Sequence, residues 1–450
     1  VKYIIAVADG VSDWPLEELG GQTPMMAAHT PTIDALCKTA ELGHVRTIPQ
    51  GVAPGSDTAF LSILGFDPKD DYTGRAPLEA MALGIDLNQE DVALRLNFIG
   101  ITPNVPEVQV KILSHAAGGM THEEGTLFLQ SILTDAACQR LMRENQLELY
   151  EGTAYRHCLI ARNAKPTMLE GKAPSPPSPH NASVQAPDET PGENPSTGGA
   201  APLQTTPPHD VLGQALCENL PAGGGAEPLR AFMRTASRAL AAHPHNAQRV
   251  QNGQMPVNFA FAWGQGSAPV RRSLKSQFGL SGACITAVPL VAGVCACRSM
   301  QNIPVEGATG ELDTNYQGKA EATLAAMQAH DLVLVHVEAP DECGHAGNVA
   351  DKIESVQRFD ERLIAPILAG LGLEANNTQN KEPVRLLILG DHATPIASRT
   401  HAADPVPYLL WQSDRALGND PNARWNENCA PNTPPLESGL ALLKRFLSEG

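Results

Sequence analysis

Asp341 and His345 stand four residues apart in Asp341-Glu-Cys-Gly-His345. On a helical turn that spacing puts both side chains on one face, where a carboxylate and an imidazole can share one metal ion. Asp391 and His392 are adjacent, His401 follows after a short loop, and Asp9 closes the first apolar run. Carboxylate oxygen and imidazole nitrogen suit Mn²⁺, Zn²⁺ or Mg²⁺. Two such ions side by side clamp the attacking and leaving oxygens of a phosphoryl displacement. The clamp needs a nucleophile, and Pro54-Gly55-Ser56-Asp57 offers Ser56 in a turn that opens into an apolar helix over 60–64. A helix N-terminus favours a phosphate, and a metal-bound hydroxyl is easier to deprotonate. Singly, each residue has a bland role: Ser56 or Asp57 as an N-cap, Asp9 as a turn residue, His345 as a structural histidine. Four such clusters in one chain point to chemistry.

These residues need elements to position them. Three apolar runs, 3–8, 332–337 and 386–389, read as buried parallel strands with helical sequence on either side. Each ends in a polar cluster: Asp9-Gly10, Glu338-Ala-Pro-Asp341, and Gly390-Asp391-His392. Ligands of an open α/β sheet gather outside the carboxyl ends of its strands, so the three ends predict one site built from distant parts of the chain. A helix is expected over about 228–243 and a strand over 259–263. Trp263-Gly264-Gln265-Gly266 lacks the third glycine and the following helix of a dinucleotide fingerprint and reads as a turn at a domain boundary. No P-loop is present.

Length and composition bound the rest. A chain of 450 residues holds two or three domains and needs no disulfide scaffold. The net charge of -17 excludes a broad basic face for nucleic acid, yet a few arginines in a cleft can still bind a small anion. The nine cysteines show no zinc spacing and read as thiols of a reducing compartment. The first apolar run stops at an acid, and the longest apolar stretch, about 283–297, is broken by Pro289 and Gly293. A cytoplasmic protein with no membrane partner is expected. Between Pro166 and Pro208 lie eleven of the 37 prolines. Such a stretch cannot offset its ordering entropy and is expected to be a disordered loop. The expected organisation is an α/β catalytic domain of residues 1–85 and 266–450, with an inserted substrate domain of residues 86–265 that carries this loop at 166–208.

The motifs together resemble a known family. Ala8-Asp9-Gly10-Val11-Ser12-Asp13, Pro54-Gly55-Ser56-Asp57, Leu64-Gly65-Phe66-Asp67-Pro68, Tyr72-Thr73-Gly74-Arg75-Ala76-Pro77-Leu78-Glu79-Ala80 and the stretch from Asp91 to Asn97 occur in the family's order. Thr314-Asn315-Tyr316-Gln317-Gly318-Lys319-Ala320, the stretch from His336 to His345, and Asp391-His392 continue it. The chain resembles the alkaline phosphatase superfamily and, within it, the archaeal-type cofactor-independent phosphoglycerate mutases. Phe66, Ala76 and Leu96 depart from the family's usual tyrosine, glycine and cysteine without removing a proposed ligand.

The resemblance implies an alkaline-phosphatase-like α/β fold with a mostly parallel sheet. It also implies two divalent ions, Mn²⁺ foremost, with Mg²⁺, Zn²⁺ or Co²⁺ as alternatives. One ion would be held by Asp341, His345 and His401, the other by Asp9, Ser56, Asp391 and His392. Ser56 would become a phosphoserine while 3-phosphoglycerate and 2-phosphoglycerate interconvert. Arg75 and Arg95 are the foremost candidates to hold this small phosphorylated substrate through bidentate contacts, followed by Lys319, Arg156 and Asp210. The regions of Trp263 and His209-Asp210 also resemble a subgroup proposed as homoserine kinases. That activity and a metal-dependent phosphatase are the alternatives.

Overall fold

The structure, a computed structural model, describes residues 1–169, 201–373, 382–419 and 421–448. Twelve strands run through these residues. They are β1 (Lys2–Ala8) and β2 (Glu41–Val45), then β3 (Val92–Ile101), β4 (Ile112–Ser114), β5 (Leu147–Thr153), β6 (Arg156–Ala161) and β7 (Phe259–Ser267). The last five are β8 (Gly282–Ile285), β9 (Gln301–Asn302), β10 (Leu332–Val337), β11 (Val384–Leu389) and β12 (Val406–Gln412). The chain divides into two compact units, at 72/73 and at 269/270.

The first unit holds a seven-stranded sheet in the order β2-β12-β11-β1-β10-β8-β9. The strands from β11 to β9 are parallel, and β12 and β2 are antiparallel at one side. The apolar runs of β1, β10 and β11 have no polar alternation because helices cover both faces; every residue of β10 and β11 is buried. Their register matters more than their composition. Ala8 pairs with Val337 and Val7 with Leu389, so the central strand and both neighbours end almost level. Asp9, Glu338 and Gly390 therefore leave the sheet along one carboxyl edge. Two helices begin near the chemistry-bearing residues, Ser56–Ile63 and Ala339–Ala346.

The second unit is an antiparallel sheet in the order β4-β3-β6-β5, with β7 on the other side of β3. The helix Ala226–Ala242 buries Leu229, Phe232, Met233, Ala236 and Leu240, one stripe of helical period, and packs against β7. The helix Arg75–Ala82 packs on β3 and β7, which is why the chain divides before it, at 72/73, and not at the 85/86 read from the sequence. The Pro-rich stretch falls largely on 170–200, outside the described residues. At its far flank Leu203 is buried in the core of this unit and Thr205 hydrogen-bonds Gln265, so 201–208 belong to the fold and not to the expected loop. Trp263-Gly264-Gln265-Gly266 is not a turn: it lies inside β7, where Gly264 takes φ +65 and the register with β3 shifts between Ala93 and Arg95. A glycine with positive φ lets the strand bulge without ending. Among the described residues no helix is long and apolar enough to cross a membrane.

Candidate metal centre

The carboxyl edge of the first unit collects Asp9 after β1, Asp341 on the helix after β10, and Asp391 and His392 after β11. Gly10 shows how tight this edge is. It has φ +58, and a Cβ there would stand 2.4 Å from Asp341 Oδ1. Two overlapping donor groups result, Asp341 with His392 and His401, and Asp9 with Asp391 and His392; within each, one ligand atom per residue lies within 4.8 Å of the others. His392 is common to both. His345 joins the first group, its Nε2 lying 3.2 Å from Asp341 Oδ2 and 2.9 Å from His401 Nε2. Its Nδ1 faces the Arg399 carbonyl at 3.0 Å, which orients the ring. Ser56 is the first residue of its helix, and its Oγ lies 3.3 Å from His392 Nε2. All seven residues expected to ligate metal or carry the phosphoryl group are thus in one neighbourhood.

The electrostatics are those of a site with too much negative charge. Asp9 and Asp391 are at most 1% exposed, yet Asp9 Oδ1 and Asp391 Oδ2 have no hydrogen-bond partner among the described residues. Leaving a buried carboxylate oxygen unsatisfied is costly, and a bound cation removes the cost. Burial, then the charges of Asp391, Asp341 and Glu338, push Asp9 well above its ordinary range. Burial also acts to raise Asp341, but hydrogen bonds to His345 and His401 outweigh it and hold Asp341 well below the usual value. The hydrogen bond to Asp341 in turn raises His345 to about 9. Burial lowers His392, which favours the neutral imidazole that a metal requires. The donors are carboxylate oxygens and imidazole nitrogens, so they fit a divalent cation of intermediate hardness.

Several participants were given no role by the sequence reading. His336 lies within β10, its Nε2 2.7 Å from Asp9 Oδ2. Thr394 Oγ1 bonds Asp341 Oδ1 and lies 3.3 Å from His392 Nδ1. Lys352 and Asp13 form an ion pair at 2.8 Å with both side chains at 0% exposure. The signal for His336 was a lone histidine in an otherwise apolar buried strand, at the start of a stretch already singled out.

The expected substrate residues divide differently. Lys319 is 0% exposed, and its ammonium donates to the His336 carbonyl at 2.8 Å. Burial lowers its pKa to about 8. It braces the end of β10, a role that its place in the Asn315-Tyr316-Gln317-Gly318-Lys319 stretch did not foretell. Arg75, Arg95, Arg156 and Asp210 lie in the second unit. Glu79 accepts from Arg75 Nε at 3.3 Å with one oxygen and from Arg95 Nε at 3.0 Å with the other. Arg95 is buried with its guanidinium 4.3 Å above the Trp263 ring. Burial and the charges of Arg75 and Arg156 depress its pKa despite Glu79, the mark of a locus rich in positive charge. Arg156 lies over Tyr155 at 5.2 Å, and Asp210 is exposed beside His209.

Comparison with known proteins agrees with this geometry. The metalloenzyme superfamily profile matches residues 1–429. A probable 2,3-bisphosphoglycerate-independent phosphoglycerate mutase of Geobacter sulfurreducens is 37% identical over 448 residues, 99% of this chain and 100% of the relative. The mutase of Methanothrix thermoacetophila is 37% identical over 91% of this chain and 90% of its own length. A solved structure from Pyrococcus horikoshii superposes with a TM-score of 0.71 at 26% identity, covering 100% of this chain and 98% of that one. The cofactor-independent phosphoglycerate mutase of Thermoplasma acidophilum shares the fold, with a TM-score of 0.60 at 23% identity over 99% of this chain and 100% of its own. A chain with these donor groups, this sheet and this extent of identity belongs to the metalloenzyme superfamily and, within it, to the 2,3-bisphosphoglycerate-independent phosphoglycerate mutases.

Proposed function

We propose that this chain interconverts 3-phosphoglycerate and 2-phosphoglycerate through a phosphoserine at Ser56. The observation that carries the reading is Ser56 Oγ at the first residue of a helix, 3.3 Å from His392 Nε2, in a site whose carboxylate oxygens Asp9 Oδ1 and Asp391 Oδ2 have no hydrogen-bond partner among the described residues. Two divalent ions, Mn²⁺ foremost, would be held by Asp341, His345 and His401 and by Asp9, Ser56, Asp391 and His392. When bound, they would lower the pKa of the serine hydroxyl and neutralise charge on the phosphoryl oxygens.

The chain's own groups do the rest. The amides of the first turn of the Ser56 helix favour the incoming phosphate. Asp57 fixes that turn, accepting from the Thr58 amide at 2.9 Å and from the Tyr72 hydroxyl at 2.8 Å. Ser56 Oγ forms the new bond to phosphorus as the ester oxygen leaves, and that oxygen takes the proton Ser56 gives up. The second half reverses this on the other hydroxyl of glycerate. Glycerate keeps only its carboxylate between the two halves, so it must be held. Arg75 and Arg95 are the groups for that task, with Glu79 keeping both guanidinium planes in place. So read, the reaction is the glycolytic and gluconeogenic one, in the cytoplasm.

The test is turnover of 3-phosphoglycerate with added Mn²⁺, with 2-phosphoglycerate identified as product. Ser56→Ala should lower the rate by at least about a thousandfold, as loss of a nucleophile does. Phosphorylation of homoserine from ATP with no action on 3-phosphoglycerate would replace the mutase reading. Release of free phosphate alone would make the chain a phosphatase.

A further inference from the structure

We propose that His336 is a positioning residue that turns one oxygen of Asp9 away from the metal and so presents the other to it. The inference rests on the reading of Asp9 as a metal ligand. His336 is 0% exposed and is held at four points. Its Nε2 lies 2.7 Å from Asp9 Oδ2, and its Nδ1 lies 3.0 Å from Thr286 Oγ1. Its carbonyl accepts from the Lys319 ammonium at 2.8 Å. The Phe60 ring packs against it nearly perpendicular, with centroids 5.2 Å apart and planes at 88°.

The chemistry of these partners sets the tautomer. The Val288 amide donates to Thr286 Oγ1 at 3.0 Å, so that hydroxyl can direct its own proton to His336 Nδ1. Nδ1 is then the bare nitrogen, and Nε2 carries the proton. An ionised carboxylate only accepts, so Nε2–H donates to Asp9 Oδ2. The chain of donors runs from the Val288 amide through Thr286 and His336 to Asp9, each link with one direction. Asp9 Oδ2 is thereby occupied, while Asp9 Oδ1 has no hydrogen bond among the described residues and lies on the side of His392, 3.6 Å from its Nε2. A carboxylate whose second oxygen is tied down cannot rotate, so its ligating oxygen is set before a cation arrives.

The experiment is calorimetric titration of Mn²⁺ into the metal-free chain, beside thermal melts of the same samples. Glutamine places its amide nitrogen near the position of Nε2, and asparagine falls short of it. His336→Gln should bind Mn²⁺ within about threefold of wild type, and His336→Asn about 10- to 100-fold more weakly, the range seen when the partner of a ligand is lost. Thr286→Val, which releases Nδ1 and leaves His336 in place, should weaken binding by a smaller factor of about three to ten. If His336→Asn does not fold, Thr286→Val and His336→Gln still decide the matter. Wild-type affinity in Thr286→Val and His336→Asn, or equal loss in His336→Gln and His336→Asn, would overturn the proposal while leaving the metal centre standing. A wild-type chain that binds no Mn²⁺ would overturn both.

Discussion

Asp9 and Asp13 sit on one loop, four residues apart, and both are buried, at 1% and 4% exposure. Their surroundings are opposite. Asp13 accepts from the Lys352 ammonium at 2.8 Å, from the Ile396 amide at 3.2 Å and from its neighbour's amide, Trp14, at 2.8 Å. Its charge is matched and its oxygens are satisfied. Asp9 faces Asp391 and Asp341, and its Oδ1 has no hydrogen-bond partner among the described residues. The same residue type in the same loop is in one place a closed ion pair that ties 12–13 to 394–396, and in the other an open anionic site. The fold is able to supply a buried lysine where one is needed. That none among the described residues stands beside Asp9 Oδ1 marks the place as one for a cation from outside the chain.

The sharpest way to break this comparison is to remove the cation that the chain itself supplies. Lys352→Met leaves Asp13 buried and unpaired and should cost about 3–5 kcal/mol of unfolding free energy, measured by denaturant titration. Mn²⁺ affinity of the folded fraction should change far less than stability. A stable Lys352→Met chain would mean that Asp13 does not depend on its partner.

The converse substitution acts on the open site. Asp9→Asn should weaken Mn²⁺ binding by more than about a hundredfold, near 2.7 kcal/mol, since a charged ligand is lost. The metal-free chain should not lose stability at neutral pH. Asp9 has a raised pKa in the folded state, so its ionised form opposes folding above the unfolded value, and a neutral amide removes that cost. A drop in the melting temperature of metal-free Asp9→Asn comparable to that of Lys352→Met would erase the distinction between the two acids.

The smallest effect is in the pH dependence of the metal-free chain. His345 rises to about 9 in the folded state from an ordinary 6.5, because Asp341 accepts from it. Its contribution to stability is therefore complete below about 6.5 and is lost as pH rises through about 9. A cation must displace that proton, so Mn²⁺ affinity should climb over the same window, and melts in saturating Mn²⁺ should lack the alkaline decline. Affinity that is flat across this range would show that His345 gives up no proton on binding.

Much of this was legible in the chain. The runs 332–337 and 386–389 announce themselves as buried strands because a strand covered on both faces has no reason to alternate. Asp341 and His345 share a face because helical period is a local property, and the helix Ala339–Ala346 carries both. Leu203 and Trp263 show where such reading stops. A Pro-rich composition says nothing of the one leucine that reaches a core, and a Trp-Gly-Gln-Gly string looks like a turn until a partner strand absorbs the bulge at Gly264.

Donor chemistry and strand-forming runs are set by residue type and short-range spacing, so the sequence by itself determined which atoms this protein can offer to a metal and a phosphate. Tertiary structure alone decided that β1 lies between β10 and β11 with their ends nearly level, which brings Asp9 to one edge with Asp341 and Asp391, each more than three hundred residues away from it in the chain. It alone decided that Lys319 braces a strand from inside, that Lys352 neutralises Asp13, and that no lysine or arginine among the described residues pairs with Asp9. Each of these is a balance between desolvation and a partner distant in the chain, and no local pattern encodes such a partner.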